Sequence, residues 1–219
     1  MVKRIRPYLF WILLVFLAVG LVYPAVGVIA LTCMLAPVAV APFRGRYWCG
    51  NCCPRGSFYD HVLAKLSPKR KIPALFSHKV FRGFMVLFIM TVFAVQMYYA
   101  WGDWTAMGKV FVQIILLTTL VGIALGLVYH QRTWCHFCPM GTLASWIIRR
   151  KKAFPLAVEN SCISCRLCTQ ICPMQLSPHA AKGSAEGFIH SDCLKCDRCV
   201  ERCPKQALKF DNNAKQGTD

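Results

Sequence analysis

Two long apolar runs limit the folds that are open to this chain. Residues 80–101 and 108–129 each supply about 22 mostly apolar positions, close to the roughly 20 that a helix needs to cross a bilayer. The mean hydropathy of the chain is +0.44, and 56% of its residues are hydrophobic. This composition is too apolar for two soluble domains, so the sequence predicts helices that cross a membrane.

A third apolar stretch covers residues 8–42. As a helix, its roughly 35 residues would extend about 52 Å, too long for one crossing and slightly short for two. A single crossing would separate the basic N-terminal residues from the basic loop at 44–79, against the bias that collects Lys and Arg on the cytoplasmic side. We therefore predict a hairpin that turns near Tyr23 and Pro24, with spans at about 7–22 and 25–42.

Four spans would place the N-terminus, the loop at 43–79 and the chain after His130 on one side. Of the 18 Lys and Arg residues in 1–152, all except Lys109 then lie on that side, which predicts a basic surface facing anionic lipid headgroups. The net charge of +17 is thus assigned to the membrane. Nucleic-acid binding is not predicted, because no basic motif with stacking aromatic residues is present. The expected location is the cytoplasmic membrane of a bacterium or archaeon, with multiple crossings and both termini cytoplasmic.

Two equally spaced cysteine arrays follow the apolar region. Each reads C-x2-C-x2-C-x3-C-P, a spacing typical of bacterial ferredoxins with two [4Fe-4S] clusters, in which the fourth cysteine of each array ligates the other cluster. Zinc is the alternative for C-x2-C pairs, but the duplicated triple spacing with Cys-Pro disfavours it. The predicted ligands are Cys162, Cys165, Cys168 and Cys203 for cluster 1, and Cys193, Cys196, Cys199 and Cys172 for cluster 2.

The predicted fold is therefore an α-helical membrane protein with four transmembrane helices and a C-terminal α+β ferredoxin-like domain that binds two [4Fe-4S] clusters. We assign residues 1–152 to the transmembrane domain and 153–160 to a linker. The ferredoxin domain is expected at 161–212 and a disordered tail at 213–219.

Two further cysteine motifs, called the membrane-face motifs below, follow the second and fourth predicted spans. Residues 48–56 read WCGNCCPRG and residues 134–141 read WCHFCPMG, so both fit W-C-x(2,3)-C-P-x-G. The spacing leaves open a third cluster, redox-active dithiols, zinc, or reduced thiols in structural Cys-Pro turns. The candidate residues are Cys49, Cys53, Cys135 and Cys138.

This combination of spans, membrane-face motifs and paired arrays resembles the membrane polyferredoxins of the nitrate-reductase accessory and nitrous-oxide-reductase regulator type. The resemblance runs from about Tyr8 to Phe210. It implies that electrons from membrane quinol pass through [4Fe-4S] clusters to a partner, and that the four membrane-face cysteines take part. The second motif departs from the family pattern, since it reads C-x2-C-P where C-x3-C-P is more usual.

From these features we expect an electron-transfer subunit of an oxidoreductase system, not a catalytic enzyme. The expected donor is quinol or another membrane component, and the expected recipient is an oxidoreductase partner. Two alternatives stay open: a redox-linked maturation or regulatory factor, and a quinol-driven metal-ion reductase.

Overall fold

The computed structural model describes residues 5–151, 155–184 and 186–210. The predicted tail at 213–219 and the first two residues of the predicted linker lie outside these ranges. The described residues form a helical part, which ends at Lys151, and a smaller part that carries the paired cysteine arrays.

The helical part contains four apolar helices and several short ones. In chain order these are α1 (Leu9–Val22), α2 (Ala30–Arg44), α3 (Tyr47–Asn51), α4 (Pro54–His61), α5 (Ala74–Ser77), α6 (Lys79–Tyr99), α7 (Trp104–Val128), α8 (Trp134–Phe137) and α9 (Pro139–Lys151). Short 3-10 helices at Arg6–Tyr8, Pro24–Ile29 and Leu63–Lys65 extend or link them.

Three of these segments are long and apolar enough to cross a membrane: Pro24–Arg44, Lys79–Tyr99 and Trp104–Val128. Arg6–Val22 is a shorter apolar helix, and at 1.5 Å per residue it extends only about 25 Å, less than the roughly 30 Å of a hydrocarbon core. The structure therefore gives three candidate membrane helices where the sequence predicts four.

The chain turns at Tyr23, where α1 ends and the backbone leaves the helical region with φ −120° and ψ 83°. The segment after the turn packs against the start of α7. A Cβ on Gly27 would collide with the backbone of Gly108, and a Cβ on Gly108 would collide with the carbonyl of Pro24. Only glycine permits this approach. The Tyr23 turn and the loop before α7 therefore lie at the same end of the helices.

The opposite end is closed by the short helices. Tyr59, Leu63, Trp134 and Phe137 form a buried apolar cluster there, and the rings of Phe76 and Phe137 stack with their centroids 5.3 Å apart. Aromatic pairs at this distance are stabilised beyond the area that they bury. Because Tyr59 follows one membrane-face cysteine motif and Trp134 begins the other, this cluster holds the two motifs side by side.

The smaller part contains a two-stranded antiparallel sheet and two short helices. Strand β1 (Leu156–Val158) pairs with β2 (Leu208–Phe210), and the helices are α10 (Leu167–Gln170) and α11 (Arg198–Glu201). Residues 156–158, predicted as linker, are thus the first strand of this part, because Leu156 and Val158 bury their side chains beside Leu208. The sequence prediction started the domain about five residues too late.

The two cysteine arrays have the same backbone shape. In each array, the residues on either side of the second cysteine have a positive φ, as does the third residue after the Cys-Pro cysteine. These are Ser164, Arg166 and Gln175 in the first array, and Lys195, Asp197 and Gln206 in the second. Left-handed residues of this kind turn successive backbone N–H groups toward one point and make a concave anion-binding surface. The two arrays therefore share a local backbone conformation as well as a cysteine spacing.

Candidate metal centres

Cysteines from both arrays meet at one cavity in the smaller part. Its lining includes Cys172 of the first array together with Cys193, Cys196 and Cys199 of the second. The backbone N–H groups of Met174 and Leu176 donate to the sulfur of Cys172, and that of Lys195 donates to the sulfur of Cys193. Such hydrogen bonds stabilise a thiolate. The cavity thus combines four thiol ligands with backbone donors aimed at sulfur.

A second group of cysteines packs on the β1–β2 sheet. Cys168 is buried in that core, and Cys162, Cys199 and Cys203 pack against it. Cys165 is exposed, as is the neighbouring Ile163, at 59%. The first array therefore reaches the surface of the smaller part at Cys165, and Cys199 lies between the sheet-packed cysteines and the cavity with Cys172.

Burial governs the acidity of these thiols in the apoprotein. Desolvation raises the pKa of Cys193 to about 11, and it also raises the pKa of Cys172 and Cys199. Metal ligands must be thiolates, so metal binding here releases protons. Within the described residues, no group of three or more Cys, His, Asp or Glu is arranged to hold a single metal ion.

The membrane-face motifs line a second, larger cavity. Cys49, Cys53, Cys135 and Cys138 line this cavity of about 220 Å³, which continues between α1, α2, α6 and α7. Apolar side chains form most of its wall, such as Phe16, Met34 and Phe93. Burial raises the pKa of the Cys53 thiol to about 12. The four predicted cysteines are thus brought together at the end of an apolar cavity.

An arginine lies just before each membrane-face motif and donates a hydrogen bond to the backbone of the other motif. Arg46, three residues before Cys49, donates to the carbonyl oxygen of Cys135 at 2.8 Å. Arg132, three residues before Cys135, donates to the carbonyl oxygen of Cys49 at 3.2 Å and to the sulfur of Cys135 at 3.4 Å. Both arginines are 1% exposed. The two motifs are therefore tied together by a reciprocal pair of buried guanidinium groups.

The final glycine of each motif makes room for these arginines. A Cβ on Gly141 would lie 2.5 Å from Nη2 of Arg46, and a Cβ on Gly56 would lie 2.8 Å from Nη1 of Arg132. Asp192 holds the guanidinium group of Arg46 and Asp60 holds that of Arg132. Neither group can therefore move aside easily in the packed interior. This gives a physical reason for the glycine in the W-C-x(2,3)-C-P-x-G pattern.

Two buried aspartates join the helical part to the smaller part. Asp192, next to Cys193, forms salt bridges with Arg46 at 2.9 Å and with Arg82 of α6 at 2.9 Å. Asp60 of α4 forms a salt bridge with Arg198 of α11 at 2.9 Å. Gly50 also lies so close to the carbonyl of Leu194 that a Cβ there would collide with it. The face that carries Asp192, Cys193 and Leu194 is thus docked on the membrane-face motifs.

Sequence reasoning missed these charged residues. It counted Arg46, Arg82 and Arg132 among the basic residues on one side of the membrane, whereas the structure buries all three against aspartates. The available signal was the matched position of Arg46 and Arg132, each three residues before a Trp-Cys cysteine. A second signal was the scarcity of acids, since the chain has only nine Asp and Glu residues and Asp60 and Asp192 lie beside cysteine motifs.

Comparison with known protein families agrees with both sets of cysteines. A family described as "4Fe-4S binding domain" matches residues 26–73 and 112–156, which contain the membrane-face motifs. A family described as "4Fe-4S dicluster domain" matches residues 154–213, which contain the paired arrays. The two matches support a 4Fe-4S ferredoxin-type protein.

Curated relatives of this ferredoxin-type protein include two proteins of Methanocaldococcus jannaschii, both named only as uncharacterized. One is 31% identical over 143 residues, which cover 64% of this chain and 56% of the relative. The other is 27% identical over 158 residues, which cover 64% of this chain and 63% of the relative. The chain thus spans about three-fifths of the length of these relatives. No solved structure matches the chain.

The residues present fit [4Fe-4S] clusters by the chemistry of their donors. The paired arrays offer eight cysteines, none of them in a disulfide, and thiolates are the ligands that hold such clusters. The left-handed residues of each array and the backbone donors to sulfur fit an anionic group. Iron–sulfur binding and a role in electron transfer follow from this donor set and from the two family matches.

Proposed function

We propose that this protein is a membrane-anchored electron carrier that takes electrons from a lipophilic donor and passes them through two [4Fe-4S] clusters to a partner oxidoreductase. A bound [4Fe-4S] cluster supplies one-electron redox chemistry, and the chain supplies its ligands, its burial and its docking surfaces. The observation that carries this proposal is the cavity shared by Cys172 and the second array.

That cavity supports the exchanged ligand sets. Cys172 belongs to the first array in sequence, yet it lines one cavity with Cys193, Cys196 and Cys199. We therefore assign these four residues to cluster 2. Cys162, Cys165, Cys168 and Cys203 are assigned to cluster 1, supported by the packing of three of them on the β1–β2 sheet.

The positions of the two ligand sets suggest an order of electron flow. The cluster-2 side is docked on the helical part through Asp192 and Leu194, while Cys165 of cluster 1 is exposed. We propose that electrons enter at cluster 2 and leave from cluster 1 to a partner that docks on the exposed face. Electron transfer requires close approach of donor and acceptor. The docked side of cluster 2 lies against the helical part, and the exposed Cys165 allows a partner to approach cluster 1, so this arrangement favours transfer from cluster 2 to cluster 1.

We propose a quinol as the donor, bound in the 220 Å³ cavity between the apolar helices. Binding sites for such molecules are concave and mostly apolar, with a few polar groups at one end, as this cavity is. A quinol that is oxidised to its quinone gives up two electrons and releases two protons, so the two clusters would each accept one electron.

We further propose that α1 crosses the membrane as well, so that the helical part has four spans. The side chain of Arg6, at the start of the first helix, donates to the carbonyl of Cys196, and α2 ends beside Arg46, which reaches Asp192. Both helices thus begin or end next to the smaller part. We place this end on the cytoplasmic side of a bacterial or archaeal membrane, as the positive charge bias favours.

The test is anaerobic reduction of the protein in liposomes by a menaquinol analogue, followed by EPR. The cavity variant is Ala30→Trp, which fills the cavity from α2 at a position that is 4% exposed. The control is Leu87→Trp on α6, which is 69% exposed and faces lipid.

We expect quinol to reduce the clusters of the wild type and of Leu87→Trp but not those of Ala30→Trp, with dithionite reducing all three. Wild-type clusters that accept electrons from dithionite but from no quinol analogue would contradict the quinol donor. Full quinol reduction of Ala30→Trp would show that the donor does not use the cavity.

A further inference from the structure

Four thiols and two arginines surround the inner end of the large cavity in a nearly two-fold arrangement. Each half contributes an arginine, a Trp-Cys pair and a Cys-Pro turn. We propose that Cys49, Cys53, Cys135 and Cys138 hold a third [4Fe-4S] cluster, and that Arg46 and Arg132 compensate its negative charge. The inference rests on the proposed electron-transfer function. In it, the third cluster is the first acceptor of electrons from the quinol proposed to bind in the cavity.

The ligand geometry supports a cluster held by both halves. Cys53 caps α4, and its sulfur accepts from the N–H of Gly56 at 3.4 Å. The sulfur of Cys135 accepts from Arg132 at 3.4 Å. One thiol of each half thus already receives a hydrogen bond, as sulfur ligands of iron–sulfur clusters do. The other two thiols, of Cys49 and Cys138, line the same cavity.

The balance of buried charge favours an anion at this place. Arg46, Arg82 and Arg132 are buried and contact Asp192 or Asp60. Arg6 and Arg198, which are partly exposed, also contact Asp60. Among these described residues, three buried guanidinium groups share two carboxylates, which leaves an excess of positive charge, and uncompensated buried charge is costly. Four thiolates outweigh the charge of a [4Fe-4S] core, so the bound cluster is an anion and removes part of this excess.

One donor near the thiols also lacks a partner. The Nε atom of Arg46 is buried without a hydrogen-bond acceptor among the described residues, and Arg46 lines the cavity beside Cys49. A buried unsatisfied donor is unusual. A sulfur atom of a bound cluster supplies the missing acceptor, which a reduced pair of neutral thiols does only weakly.

The site is also placed to pass electrons to cluster 2. Gly50, next to Cys49, contacts the backbone of Leu194, next to Cys193, and the Asn51 side chain donates to the carbonyl of Lys195 at 3.0 Å. In each site, therefore, a cysteine is the direct sequence neighbour of a residue that makes this contact. The proposed route runs from the cavity to the membrane-face cluster, then to cluster 2 and cluster 1.

The test is iron and acid-labile sulfide per chain in the anaerobically purified full-length protein, with zinc measured in the same sample. The variants are Cys49→Ser and Cys138→Ser, one from each half of the site. The matched control is Cys52→Ser, because Cys52 belongs to the first motif but does not line the cavity. EPR after dithionite reduction follows the ferredoxin clusters separately.

We expect about twelve iron atoms in the wild type and in Cys52→Ser, and about eight in the other two variants with unchanged ferredoxin signals. About eight iron atoms in the wild type, with or without one zinc, would overturn the third cluster and leave the two-cluster function intact. Loss of the ferredoxin signals in the wild type would instead contradict the proposed function. If the serine variants do not fold, the wild-type iron content alone decides.

Discussion

Replacement of Asp60 by Asn tests the charged junction between the two parts of the chain. The Asp60 side chain is fully buried and contacts Arg6, Arg132 and Arg198 at 2.8–2.9 Å. Asn keeps the size of the side chain but removes its charge and replaces one of the two acceptor oxygens by an NH2 donor, leaving three guanidinium groups without their common anionic partner. Removing one partner of a buried ion pair costs about 3–5 kcal/mol. The variant should therefore unfold with an equilibrium constant roughly 10²–10⁴-fold larger than that of the wild type.

The assay is denaturant unfolding in detergent micelles, followed by near-UV circular dichroism of the aromatic side chains, which include the buried Trp134. Glu159→Gln is the control, because its ion pair with Lys209 at 2.8 Å is exposed; we expect this change to leave the unfolding midpoint unaltered. If Asp60→Asn loses no more stability than Glu159→Gln, the junction does not hold the two parts together.

The pH dependence has a defined sign. Burial by itself raises the pKa of Asp60, but the charges of Arg132, Arg198 and Arg6 outweigh it and hold that pKa below its usual range. The contribution of Asp60 to stability is therefore complete above its unfolded pKa of about 3.9 and is lost as the pH falls toward the folded value. Wild type and Asp60→Asn should differ fully at pH 7 and converge only in acid.

Three other predictions concern the docking and the ligands. Gly50→Ala should slow quinol reduction of the clusters without loss of iron, because its Cβ would collide with Leu194; Gly83→Ala, with open space around it, should be neutral, and equal rates would contradict the docking. Cys172→Ser should alter the EPR signal of the same cluster as Cys196→Ser, and effects on different clusters would refute the exchanged ligands. Chemical reconstitution of the apoprotein should accelerate from pH 7 to 9, since burial raises the pKa of thiols such as Cys193 and ligation needs the thiolate; a rate that is independent of pH would contradict this.

Hydrophobic runs and cysteine spacing predicted the larger features of this chain. The span expected at 80–101 corresponds to α6 at Lys79–Tyr99, and the turn expected near Tyr23 occurs there. Both signals are local: bilayer thickness sets the length of an apolar run, and ligand spacing is set within one loop. The start of α7 was placed four residues late, although Asp103 gave a readable cap, since its side chain accepts from the N–H of Thr105.

The contacts between distant segments could not be read from the sequence. Arg46 and Arg132 resemble ordinary cytoplasmic-side charges of a membrane protein, and only the fold shows that each reaches across to the opposite motif. Strand β1 was missed because Leu156-Ala157-Val158 is short and becomes a strand only by pairing with Leu208–Phe210. In each case the partner lies at least 50 residues away, so no periodicity or spacing within one segment reports it.

The most direct test of the central claim is iron and acid-labile sulfide per chain, together with EPR after dithionite reduction of the anaerobically purified protein. We expect at least about eight iron atoms, a matching amount of sulfide and the signals of two interacting [4Fe-4S] clusters. Bound zinc in place of iron, or protein that is folded and free of metal after anaerobic purification, would contradict it.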